Sequence, residues 1–204
     1  YDIFLSLIYN MNSLTVNVLF PEGSTLKNIA SIAQRNIGID STIFMRYATS
    51  DSLCKAFQIN AHTFEGYLFP DTYNFFYKTS EVDILQKLYN QGQRIWNKNF
   101  YLHAKSKKKS QHEILTLASI IEAEAVKENE RKRISGVYIN RLTKNMKLQS
   151  DPTVQYAVGT KKRLFYQDLL YDSPYNTYKY SGLPPGPICA PSLASIEAAL
   201  FPEN

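Results

Sequence analysis

The sequence predicts an α+β fold in which a small strand–helix–helix unit precedes a larger, helix-rich domain. Three observations carry this reading. The run Leu14–Phe20 alternates apolar and polar residues over most of its length and is rich in β-formers. Several later runs repeat apolar residues at three- and four-residue spacing behind recognisable capping residues. The 204 residues are 44% hydrophobic and 20% charged, enough for one large domain or a small one plus a medium one.

Taken in order, the strand Leu14–Phe20 ends at the turn Pro21-Glu22-Gly23. Ser24 is a capping residue for a helix from Thr25 to about Asn36, with Leu26, Ile29, Ala30 and Ala33 on one face and Gly38 as its stop. A second short helix starts at Ile39-Asp40-Ser41 and carries Ile43, Phe44 and Tyr47. The unit is small enough to be an accessory module, and a boundary near residues 56–60 divides the chain into 1–57 and 58–204. In the stretch Thr63–Tyr73, Gly66 and Pro70-Asp71 are turn or loop signals among aromatics. Glu81–Asn97 has helical spacing of Val82, Ile84, Leu85, Leu88, Tyr89 and Ile95. Lys105–Lys109 is a basic loop.

Ser110 and Glu113 form the S-x-x-E capping box, which starts a helix at Gln111 that runs to about Lys127. Another follows over roughly Asn129–Lys144, with Gly136 inside it as a sign of close backbone packing. Lys147–Ser150 is short and extended. Asp151-Pro152-Thr153 opens a helix that Gly159 closes, since proline is tolerated in a first turn. From Ser173 five prolines precede residue 192, giving an ordered loop before a final helix, Ser192–Leu200.

Composition narrows the function classes. A net charge of +5 favours an anionic partner without choosing among nucleic acid, lipid and acidic cell-wall polymer. Fifteen Tyr and eleven Phe suit sugar stacking as well as cores. Cys54 and Cys189 fit no metal spacing and could be free or paired. His62, His103 and His112 form no cluster, which argues against a zinc site, and no cofactor is expected. No P-loop, G-x-G-x-x-G, G-x-S-x-G or H-E-x-x-H occurs. The apolar start Tyr1–Tyr9 is too short for a membrane span, and the absence of an initiator Met makes the chain look like a fragment of a longer protein.

The residue that points to chemistry is Glu122. On a helix its neighbours three and four positions away are Leu115, Ala118, Ser119, Ala125 and Val126, an apolar or hydroxyl stripe. A carboxylate there is costly unless paired or neutral; if it stays neutral its pKa is raised, which makes it a candidate general acid. The plain alternative is an edge residue whose stem packs and whose head reaches water. Glu124, with Ile120, Ile121, Lys127 and Glu128 around it, is the solvated control. An acid followed by loops rich in Asn, Gln, Asp, Thr and Tyr is carbohydrate chemistry in style. Candidates for a second carboxylate are Glu65, Asp71 and Asp151, the last of which can equally serve as a cap before Pro152.

Four ordered blocks resemble the MltG (YceG-like) family of bacterial endolytic murein transglycosylases. They are Phe64–Tyr73, Leu117–Glu124, Gly136–Leu142 running into Met146–Val154, and Ser173–Tyr178 with Gly182–Ile188. Pro21–Leu26 resembles, less specifically, the family's LysM-like subdomain, so the implied architecture is a LysM-like subdomain over 1–57 and a YceG-like catalytic domain over 58–204. The resemblance makes Glu122 the catalytic acid. It implies cleavage of the β-1,4 bond between N-acetylmuramic acid and N-acetylglucosamine with a 1,6-anhydromuramoyl end. A single carboxyl would protonate the glycosidic oxygen and then take the proton of the tethered 6-hydroxyl, so no water needs activating. Glu65, Tyr67, Asn140, Gln149, Asp151, Tyr175, Asn176 and Thr177 are then expected either to line the groove or to brace its loops.

The implied partners are peptidoglycan glycan strands and cell-wall synthases, not nucleic acid. The implied location is the cytoplasmic membrane, with a single-pass anchor missing from this chain and the catalytic domain facing the periplasm or cell wall. Two departures stand out: Ala123 where the family often has Lys, and an end at Pro202-Glu203-Asn204 where members usually continue. Two other readings compete. A non-catalytic peptidoglycan-binding scaffold would have no need of a semi-buried acid. Nucleic-acid binding rests only on charge and Lys107–Lys109.

Overall fold

The computed structural model describes residues 15–203. The apolar start Tyr1–Tyr9, Leu14 of the expected strand, and Asn204 lie outside them. The described part is mixed: one two-stranded antiparallel sheet and ten α-helices.

Strand β1 (Thr15–Phe20) pairs with β2 (Asp71–Phe76) in the register Val16↔Phe75, Val18↔Tyr73 and Phe20↔Asp71. Alternation puts Val18 and Phe20 on the same buried face as Tyr73 and Phe75. The Phe20 ring meets Tyr73 and Phe75 edge-on at 6.0 and 6.4 Å. On the outer face Asn74 donates to Asn17 at 3.0 Å. The second strand was not anticipated. Its start, Pro70-Asp71, reads as a turn, yet Asp71–Phe76 alternates exposed and buried residues once β1 lies beside it. The pairing ties residues 15–20 to a segment beyond the expected boundary at 57.

Between the strands lie α1 (Leu26–Ile37), α2 (Ser41–Ala48) and α3 (Asp51–Ala56). Thr25, not Ser24, caps α1, in a box with Asn28, and Gly38 ends it at φ 79°. Asp40 caps α2 through the N–H groups of Thr42 and Ile43. Phe57, Phe64 and Tyr89 cluster at centroid distances of 5.1 to 6.2 Å. The expected long helix is α4 (Glu81–Ile95), and an unexpected α5 (Lys98–Ser106) follows, taking in Lys105 of the expected basic loop.

The centre of the helix-rich part is α6 (Gln111–Glu124). Its capping box is the one expected, but every residue from Ile114 to Ile121 is buried. A helix apolar on all sides is surrounded by others. Here α7 (Arg131–Thr143), α8 (Asp151–Val158) and α10 (Leu193–Leu200) pack on it, while the one-turn α9 (Tyr166–Leu169) sits by α8. Helix α6 stops at Glu124, short of Lys127, so Val126 lies outside the supposed stripe and is 91% exposed. Gly136 meets the end of the chain: a Cβ there would overlap the Glu203 carbonyl oxygen.

Candidate active site

A cleft of about 840 Å³ is lined by residues of α1 and α2, the end of α6 and α8. Among its lining residues are Glu22, Leu26, Glu65, Glu122, Tyr156 and Tyr175. That volume is in the range of small-molecule and oligosaccharide sites.

Glu122 lies in the last turn of α6, where the helix leaves the core. Its Oε2 accepts from the Ser192 N–H at 3.0 Å, the Ser192 hydroxyl and the Ser195 hydroxyl at 2.7 Å. Its Oε1 has one partner among the described residues, the Arg131 guanidinium at 3.4 Å. Arg131 is itself buried and is steered by a bond from its Nε to Ser195 at 3.0 Å. Ser192 is the N-cap of α10, so the carboxylate sits where that helix presents free N–H groups.

These partners make Glu122 the paired rather than the neutral carboxyl, so the raised pKa of the neutral case does not arise. Burial pushes the Glu122 carboxyl up, but the hydrogen bonds from Ser192 and Ser195 and the Arg131 charge outweigh it, and the pKa lies below the ordinary value. Glu122 is therefore a carboxylate in the free protein, with Oε2 held by the two serines and Oε1 paired with Arg131. Glu124 is exposed, as expected of the control.

Glu65, by contrast, has a raised pKa. Burial lifts it to about 7, against the lowering effect of hydrogen bonds from the Leu26 N–H and the Tyr156 hydroxyl. The N–H lies 3.1 Å from Oε1 and the hydroxyl 3.4 Å from Oε2. Leu26 is the first residue of α1 and Tyr156 lies in α8, so this carboxyl links the two helices. Gly66 makes the arrangement possible: at φ 76°, its Cβ would overlap Pro187.

The other expected site residues divide. Tyr175 lines the cleft and packs on Tyr156 at 4.9 Å. Tyr67 instead lines a small separate void and bonds to His112 at 2.7 Å, and His112 in turn bonds the Pro185 carbonyl at 2.7 Å. Asn176 is fully buried; its amide donates to the Leu169 and Tyr171 carbonyls and its oxygen accepts from the Tyr178 N–H. Thr177 is buried too, accepting from the Ser150 N–H at 3.0 Å and meeting Thr153 at 2.8 Å. Asp151 takes the Tyr178 hydroxyl at 2.6 Å rather than capping its helix, where Ser150 is the N-cap residue. Asn140 and Gln149 are exposed and outside the cleft lining, Gln149 with φ 53° and its N–H on the Thr177 carbonyl. Asp71 stays in β2, bonded to Gln91.

Sequence reasoning missed Arg131, Ser192, Ser195 and Glu22. In the polar run Glu128–Arg133 no signal distinguishes the one residue that turns inward. Ser192 was the start of a helix, and its second role depends on where α10 docks. Cys54 and Cys189 are both free and buried, Cys189 with its thiol on the Ser119 carbonyl. Among the described residues no three His, Cys, Asp or Glu side chains gather into a metal-binding group. Nor is any helix among them long and apolar enough to cross a membrane.

Comparison with known proteins agrees with this architecture. An endolytic murein transglycosylase of Bacillus subtilis is 48% identical over 145 residues, 70% of this chain and 40% of the relative. One from Streptococcus pneumoniae strain D39 is 39% identical over 145 residues, 67% of this chain and 26% of the relative. The chain thus spans less than half the length of either relative. The crystal structure of a YceG-like protein from Listeria monocytogenes superposes with a TM-score of 0.87 at 35% identity, covering 98% of this chain and 72% of that one. Residues 2–204 match the model of the YceG-like family, and the chain belongs to that family.

Proposed function

We propose that this chain is the catalytic part of an endolytic peptidoglycan lytic transglycosylase, cleaving the β-1,4 bond between N-acetylmuramic acid and N-acetylglucosamine and leaving a 1,6-anhydromuramoyl end. The observation that carries the reading is Glu122: a carboxylate held by Ser192, Ser195 and Arg131 in the lining of a cleft of about 840 Å³. The names of the relatives support the same chemistry.

An ionised Glu122 suits the ring-closing half of the reaction. Its Oε1 takes the proton of the muramoyl 6-hydroxyl as O6 attacks C1. The nucleophile is tethered to the same sugar, so the attack is intramolecular and no water has to be activated. The proton for the leaving oxygen has to come from a group in the cleft that still holds one. Glu65 and Tyr175 would meet the sugars directly, Tyr175 by its ring face. Tyr67, Asn140, Gln149, Asp151, Asn176 and Thr177 would act by shaping the walls. In this reading the strand–helices–strand unit is LysM-like, the substrate is a peptidoglycan strand in the cell wall, and cell-wall synthases and an N-terminal membrane anchor belong to the whole protein.

Digestion of purified glycan strands tests this. Wild type should release fragments with anhydro ends from internal sites, read by mass. Glu122→Gln should lose roughly 10³-fold in rate while still binding strands. Reducing ends that have gained water would replace the reading with a hydrolase.

A further inference from the structure

One side chain in the cleft lining bonds to two of the helices that form it. Glu65 is 5% exposed. Its Oε1 accepts from the Leu26 N–H of α1 at 3.1 Å, and its Oε2 accepts from the Tyr156 hydroxyl of α8 at 3.4 Å. Leu26 and Tyr156 line the cleft themselves. The carboxyl is preset from its own backbone: the Glu65 N–H donates to the Thr63 hydroxyl at 3.2 Å, and the neighbouring Gly66 packs closely on Pro187. Tyr156 in turn packs on Tyr175, with ring centroids 4.9 Å apart, and Tyr175 also belongs to the lining. A chain of contacts therefore runs from the start of α1 through Glu65 and Tyr156 to the Tyr175 ring.

We propose that Glu65 is a positioning residue for the substrate, a strut between α1 and α8 that holds Tyr156 and, through it, the Tyr175 ring at the spacing the sugars need. The proposal rests on the transglycosylase reading and deepens it: Glu65 governs how tightly a glycan strand is held and takes no part in making or breaking bonds. Without its carboxyl, the Leu26 N–H and the Tyr156 hydroxyl lose a buried partner, and the two helices lose a tie across the cleft. The loss falls on affinity, so KM rises while kcat stays close to its former value.

The same strut ties affinity to pH. Burial lifts the Glu65 carboxyl to about 7, so it holds its proton on the acid side of that value. The titratable groups that feel it are Tyr156, Tyr175 and Cys189, each pushed up by burial and by the Glu65 charge, so they keep their protons in this range. The other charged residues of the lining are Glu22, Lys27, Glu122 and Lys161, and none of them is a cause of the Glu65 shift. A strand that fills the cleft excludes more water from Glu65 and disfavours its charged form further. By linkage, binding is tightest while Glu65 is protonated and weakens as pH rises through about 7. Glu122, ionised from lower pH, sets the acid limb of kcat/KM instead.

The test measures KM and kcat on purified glycan strands for wild type, Glu65→Gln, Glu65→Ala, Tyr156→Phe and the Glu65→Ala/Tyr156→Phe double variant, and the strand Kd of each in a Glu122→Gln background. At about pH 6, Tyr156→Phe should raise KM roughly 5-fold and Glu65→Ala roughly 10-fold, each with kcat within a few-fold of wild type. The double variant should be no worse than Glu65→Ala, since the hydroxyl then has nothing to hold. Wild-type KM should rise roughly 5- to 10-fold from about pH 6 to about pH 8, whereas the KM of Glu65→Gln, which cannot ionise, should stay flat. Additive losses in the double variant, a loss in kcat in place of KM, or the same pH dependence in Glu65→Gln would overturn the strut. If Glu65→Ala does not fold, Tyr156→Phe decides, and an unchanged KM there sinks the proposal. A wild type that makes no anhydro ends would overturn the transglycosylase reading alone, because the strand Kd values still read the strut.

Discussion

At Glu122 the protonation state is set by partners that lie far away in sequence. The nearest, Arg131, is nine residues on, and Ser192 and Ser195 are 70 and 73 residues on. Removing one of them should show in the titration of the site. Arg131→Met takes away a cation whose side chain is only 11% exposed, opposite a Glu122 side chain 7% exposed. The Glu122 pKa should rise, moving the acid limb of kcat/KM upward by roughly one unit. Leaving that carboxylate without its cation should also cost about 3 kcal/mol of stability, read from urea unfolding at pH 7. An unmoved limb would mean that Arg131 does not govern Glu122.

At the scale of elements, the loops around α8 are held by side chains whose composition suggests sugar contact. Asn176 makes three bonds to main-chain groups within its own loop, with no part of it exposed. Asn176→Ala would leave the Leu169 and Tyr171 carbonyls and the Tyr178 N–H without that partner, and should destabilise by about 2 to 3 kcal/mol in urea unfolding. Thr177 and Thr153 tie the start of α8 to the same loop. A polar, aromatic loop sequence is compatible with binding a sugar and with building a loop that can, and burial decides between them residue by residue. Helix α6 was legible in its capping box and its apolar run, but not in its surroundings: the period of apolar residues could not reveal that Thr116 and Ser119 are buried as well. Their hydroxyls turn back to main-chain carbonyls, at His112 and Thr116, which makes their burial tolerable.

At the scale of the molecule, residues 15–56 are tied to the rest of the described chain at the β1–β2 pairing, at the bonds of Gly23 and Ser24 to Ala190 and at Glu65. Glu65 makes this joint sensitive to pH. Its folded pKa of about 7 exceeds the ordinary 4.5, so between those values the folded state keeps a proton that the unfolded chain has lost. Its contribution is complete below about 4.5 and is lost as pH rises through about 7, a swing of roughly 3 kcal/mol. Glu65→Gln, which keeps an acceptor for the Leu26 N–H, should flatten the stability profile between pH 5 and 7. An equally steep profile in the variant would assign the slope to another group.

The order and type of the main helices, the caps at Asp40, Ser110 and Ser192, the strand ending at Phe20 and the oddity of Glu122 were all present in the sequence, because caps, periods and lone carboxylates are local patterns. The second strand, the inward turn of Arg131, the cleft that Glu122 and Glu65 both line and the opposite directions of their pKa shifts came only with the tertiary structure. Each depends on which groups meet across long stretches of chain. A carboxyl's pKa is a sum over neighbours in space, and burial raises it or fails to according to the donors that the fold delivers to it.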